Sequence, residues 1–315
     1  MDFVKKSFYW GNLKGLLTLI LLAQFSQGNG QDLNIFPIYP GGFVSLSDVD
    51  VWNGIDHSTI LPVVEGREKG TGYVETEYLE VTGKYRHNFL SRTHIDESDT
   101  MFIYSYVKNV TLALPVSDLT AIATLSPYLH PDDCPCPIFY YQMGFVIDSS
   151  SLLNLEESYT HTFVHIGKYN PFIADELQQI TWTDVSCEEF PSDLITEEVN
   201  FNFGNDDFAF SVGACYKFQS QHLVYYIQKL VKEDYQFGLR LIVIHRKTKG
   251  KKFEYLFFGG ESASFTALNH QWTGNLFEDK PPVIFGFQSH SFGCPAIHFL
   301  DSEHKGITLK CDNRH

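Results

Sequence analysis

From Met101 to Pro115 the chain reads MFIYSYVKNVTLALP, a run of β-branched and aromatic residues closed by proline. Such side chains lose rotamer freedom in a helix and pack well on a pleated surface, so the run predicts a strand. The signature recurs in GYVETEYLEVTG (Gly72 to Gly83), CPIFYYQMGFVID (Cys136 to Asp148) and YTHTFVHIG (Tyr159 to Gly167). EEVNFNFG and DFAFSVGACYKF, joined by GNDD, read as a hairpin, and Leu239 to Gly260 as a longer one with a polar, Gly-containing tip. Ser220 to Tyr235 is different. Leu223, Tyr226, Ile227, Leu230 and Val231 fall on one face at helical spacing, opposite Lys229, Lys232 and Glu233, which predicts an amphipathic helix. SLLNLEES offers a further short helical turn. No βαβ alternation is present. The expected fold is mainly β: antiparallel, sandwich-like module(s) with one short amphipathic helix and a disulfide-stapled C-terminal half.

Lys5, Lys6 and Lys14 precede the apolar stretch Leu16 to Ala23, and small residues follow at Ser26 and Gly28. That order is the order of a secretory signal. The apolar core is only about 10 residues, against roughly 20 for a helix that spans a bilayer. The expectation is a signal peptide over 1–28, a secreted mature chain without a membrane span, a Cys-free β region over 29–133 and a disulfide-containing β region over 134–315. Within the last, Trp182, Cys215 and Phe218 echo Trp272, Cys294 and Phe299, which raises two related modules at about 170–220 and 260–311.

A net charge of −15 opposes binding to nucleic acid, because a polyanion is repelled at long range. At 15% aromatic residues the chain is rich enough to build a large core. Its six cysteines, Cys134, Cys136, Cys187, Cys215, Cys294 and Cys311, are an even set, which in a secreted chain points to disulfides. Cys134 and Cys136 lack the two-to-four-residue spacing of a zinc knuckle, and a bond between them closes a tight ring around Pro135. The expectation is that each bridges to a different distant cysteine, with one local bridge, Cys187–Cys215 or Cys294–Cys311, beside them. Asn109-Val110-Thr111 is a glycosylation sequon.

Thirteen histidines raise metal and acid–base chemistry. His161 and His165 share one face of a strand about 13 Å apart, too far for one metal. His245 to Lys247 sits at a cationic hairpin tip without the acidic residue and second copy that a phosphohistidine site needs. Ser264 falls in GGESAS, which misses the nucleophile elbow Gly-x-Ser-x-Gly, and Asp48, Asp50 and Asn53 miss the calcium-loop register. No metal, cofactor or catalytic signature emerges. The leading reading is a secreted β-rich glycoprotein that binds an extracellular or cell-surface protein or a glycan. One alternative is a hydrolase whose site forms only in the fold, with His57, His245 and His270 as candidates. The other is a carrier of an apolar ligand, marked by a Phe-lined cavity.

Overall fold

The computed structural model describes residues 33–46, 59–62, 64–65, 72–74, 78–126, 136–152, 161–195, 211–233, 235–260, 263–291 and 293–312. The 1–28 leader, His57, Cys134, the Asp48–Asn53 loop and the GNDD turn all lie outside them. The chain is mainly β, and its strand pairings are antiparallel. Asn34–His315 forms one compact unit.

In the first half, a four-stranded sheet runs in the order Phe43–Ser45, Tyr141–Val146, Thr120–Leu125, Tyr78–Glu80. A three-stranded sheet runs Thr162–Gly167, Thr100–Ser105, Val110–Pro115. Val44, Ala121 and Phe145 of the first share one apolar core with Met101, Ile103 and Val164 of the second, as inner faces of a sandwich do. The Met101 to Pro115 run is two strands rather than one. Asn109 adopts φ +60°, and the four residues Tyr106 to Asn109 turn the chain back so that Ser105 pairs with Val110.

The α-helix of this half, Gly83–Thr93, was not foreseen from the sequence. It buries only Phe89 and Leu90, so its apolar stripe is too narrow to stand out. Arg86 docks it. Its guanidinium pairs with Glu97 at 2.7 Å, donates to the carbonyls of Leu119 and Val116, and lies over the Phe145 ring. A second short helix, Ser149–Leu152, overlaps only the first two residues of SLLNLEES, whose remainder lies outside the described residues.

In the second half, a five-stranded sheet runs Thr183–Val185, Ser211–Gln219, Leu223–Lys232, Tyr235–His245, Lys251–Phe258. The expected long hairpin closes it, with Tyr235–His245 paired to Lys251–Phe258 and an exposed tip at 246–250. The helix expected over Ser220 to Tyr235 is a strand. Leu223–Lys232 is the central strand of this sheet and is covered on both faces. Tyr225 and Ile227 pack into a core with Ile284 and Phe287, while Val224 and Tyr226 face a second core capped by Phe190 and Cys215. Apolar residues are therefore needed at successive positions, and that doubled pattern imitates a helical stripe. The remaining five-stranded sheet runs Leu177–Gln179, Trp272–Gly274, Val283–Phe285, Ala296–Phe299, Ile307–Thr308.

Both local disulfides form, Cys187–Cys215 and Cys294–Cys311. Strand register explains each. Val185 pairs with Cys215, which brings Cys187 alongside, and Ala296 pairs with Thr308, which brings Cys294 to Cys311. The expectation that Cys134 and Cys136 staple the first half to the second is thereby overturned, because the chain has six cysteines and these bridges use the other four. Peptide mapping without reduction should recover the 187–215 and 294–311 pairs, and a link from Cys134 or Cys136 to any of those four would contradict the fold. Serine at Cys294 and Cys311 together should cost about 3 kcal/mol of stability by loss of loop closure.

Candidate functional site: a cleft lined by histidines

The two halves meet on rings. Tyr106, the first residue of the Tyr106 to Asn109 turn, donates its N–H to the His161 carbonyl. Its ring lies 5.1 to 5.6 Å from those of His161, Phe163, Trp272 and Phe285. Three of the four contacts are edge-to-face, the geometry that the ring quadrupole favours. Burial pushes the Tyr106 phenol above its ordinary range. Beside it, Phe36 bridges to Val164, and the Ile35 carbonyl accepts from the Lys310 N–H, so the segment around residue 36 ties both halves together.

Next to this junction opens a cleft of about 720 Å³. Its apolar wall includes Ile38, Phe163, Phe257, Phe285, Phe287 and Ile297, and its polar groups are Thr, Ser, Gln, Tyr39, Tyr106 and four histidines, His161, His270, His290 and His298. Among the described residues, no Asp, Glu, Lys or Arg lines it.

Each histidine is set by a different element. His161 immediately precedes the strand Thr162–Gly167, and burial followed by the nearby His270 charge lowers its pKa. His270 sits on the turn leading to Trp272–Gly274. That turn is clamped by Gln271, a fully buried amide that donates to the Ala267 and Gly286 carbonyls and to Thr266, and accepts from the Trp182 indole. Gly286 takes φ +91°, and a Cβ there would overlap the His270 carbonyl, so only glycine lets the two segments approach this closely. His290 ends the strand Gln288–His290, opposite Ala263. His298 lies in Ala296–Phe299 against the rings of Tyr255, Phe257 and Phe253, at 4.2, 5.6 and 6.3 Å. Burial there lowers its pKa to about 4.

No protein-family model, curated protein or solved structure matches the chain. The cleft's own chemistry is the basis for a functional reading.

Of the three histidines singled out from the sequence, His270 reaches the cleft. His245 stands exposed at the long hairpin tip, and His57 lies outside the described residues. His161, just before the strand, and His165, within it, sit in different surroundings. His161 lines the cleft, whereas His165 is buried in register with Phe102, with Nδ1 3.1 Å from the Asn34 carbonyl. Ser264 lies in the strand Ala263–Phe265 beside a separate depression whose described lining holds no histidine. The sequon asparagine is half-buried. Its Oδ1 accepts from the Tyr104 hydroxyl at 2.6 Å and from the Asp175 N–H at 2.8 Å, which ties the turn to the segment around residue 175. Tyr106, His290 and His298 were not singled out beforehand, because each is ordinary in its local sequence and acquires meaning only beside the others.

Proposed function

We propose that the protein is a secreted binding protein whose ligand is a small, uncharged, largely apolar molecule with a few hydrogen-bonding groups, seated in the histidine-lined cleft. The observation that carries this reading is the cleft itself: a phenylalanine-rich wall, scattered polar groups and no charged residue among its described lining. Its volume falls in the roughly 300–1,000 Å³ range that encloses small molecules rather than a broad protein or glycan face. A hydrolase reading has less support, since a histidine acting as a general base is ordinarily oriented by a carboxylate. Secretion is supported by the leader-like N-terminus and by two disulfides, and no described helix is long and apolar enough to cross a membrane.

The neutral fluorophore N-phenyl-1-naphthylamine tests the reading. One molecule should bind per chain. Ala267→Trp and Ser289→Trp, at exposed positions on the cleft, should each weaken it at least tenfold without lowering the melting temperature. Absence of binding to the unmodified protein, or indifference to both substitutions, would overturn it.

A further inference from the structure

Four of the chain's thirteen histidines converge on one cleft from four separate segments, in a described lining that is otherwise free of charge. Histidine is the side chain whose charge changes between neutral and mildly acidic pH. Building on the binding site proposed above, we propose that this cleft is acid-gated: it holds an uncharged ligand near neutral pH and releases it as the medium approaches about pH 5.

Among the described residues, no carboxylate lines the cleft to compensate positive charge. His161 packs against the Tyr106 ring, and His270, from the opposite half, is close enough that its charge opposes a charge on His161. His290 pairs with Ala263, on a strand of Ala, Ser and Phe with no ionisable side chain. His298 meets Phe253, Tyr255 and Phe257 from Lys251–Phe258, and its other strand neighbours, Val283–Phe285 and Ile307–Thr308, carry no charge. Two carboxylates stand on or beside these elements. Glu254 is engaged by Lys251 at 2.9 Å, and Asp301 by Lys252 at 3.9 Å and His304 at 3.5 Å.

Protonation therefore places like charges on a wall of rings. Imidazolium ions demand water, and a hydrated cationic cleft no longer favours an apolar ligand over solvent. By linkage, a ligand that prefers neutral histidines must bind more weakly wherever acid charges them, up to tenfold per pH unit for each linked proton. Burial holds His161 and His298 below the ordinary imidazole range, so His161 resists charging and His298, at about 4, stays largely neutral at about pH 5 and is not needed for the gate. The device suits a secreted carrier that loads near neutral pH and unloads in an acidified compartment.

The experiment is titration of the full chain with N-phenyl-1-naphthylamine, which carries no ionising group in this range, at about pH 7.4 and about pH 5.0. Near-UV circular dichroism confirms that the protein remains folded at both, and return to neutral pH tests reversibility. The dissociation constant should rise at least tenfold in acid and recover. The readout for variants is the ratio of acid to neutral constants within each protein. His270→Gln, at an exposed position, should reduce that ratio several-fold, and His161→Gln with His270→Gln should bring it towards one. A ratio near one for the unmodified folded protein overturns the gate and leaves the site standing. An unchanged ratio in both variants also overturns it, because other groups then carry the effect. No binding at neutral pH defeats the site itself.

Discussion

Replacing Tyr106 with alanine should cost about 2–3 kcal/mol of stability, less than for a fully buried aromatic ring because its side chain is only partly buried and lines the cleft. The size follows from the position. Tyr106 packs against His161 and Phe163 from the first half and against Trp272 and Phe285 from the second. Its removal strips ring contacts from both halves and widens the neighbouring cleft, and the flanking strands cannot close the gap without breaking their register. Urea denaturation at neutral pH measures it directly. A cost below about 1 kcal/mol would mean that the halves do not depend on this junction.

Acid should destabilise the fold from about pH 6.5 downward, beginning well above the range in which carboxylates are protonated. His161, His165 and His298 all have folded-state pKa values below the ordinary imidazole value, with burial the leading cause in each case. Between the folded and unfolded values the unfolded chain binds more protons, so stability falls as pH falls. The window opens at the unfolded imidazole value of 6.5 and, for His298, closes near 4. That residue alone contributes a loss of about 3 kcal/mol across the window, as an upper bound for a partly buried group. Urea denaturation at intervals from neutral pH to about pH 4.5 should show this decline, and His298→Phe should remove the larger part of it. A flat profile over the window would show that these imidazoles are better hydrated than their packing indicates. The lowered carboxylates Asp96, Glu97 and Asp301 add their own losses only at lower pH, since their stabilisation disappears as they protonate.

The sequence was most legible where a strand has one wet face or a tight turn. The long hairpin through Tyr235–His245 and Lys251–Phe258 is clear because two apolar runs flank a polar tip. It was least legible where burial is two-sided. Leu223–Lys232 is covered above and below, so its apolar positions lose the period of two that marks a strand. The helix Gly83–Thr93 fails in the opposite sense: it is held by the Arg86 contacts rather than by a broad apolar stripe, and periodicity records only stripes. Disulfide pairing was misjudged for a related reason. Which cysteines meet depends on strand register, and register is a property of the sheet rather than of spacing along the chain.

The cleft shows the same limit at longer range. His270 could be picked out as one histidine among thirteen, but His161, His290 and His298 belong to different strands and no motif links them. Nor could the ring junction be read from Tyr106, which sits in an unremarkable turn between two strands of one hairpin.

By itself the sequence determined the β class, because aromatic and β-branched runs cut by turn residues pack well only as sheets, and it determined that the cysteines suit disulfides rather than a zinc knuckle. Only the tertiary structure decided which cysteines pair, which apolar run is a two-sided central strand, and that four unlinked histidines share one uncharged wall. The physical reason is common to all three: local propensity acts between neighbours in the chain, whereas pairing register and burial are settled by residues tens or hundreds of positions apart.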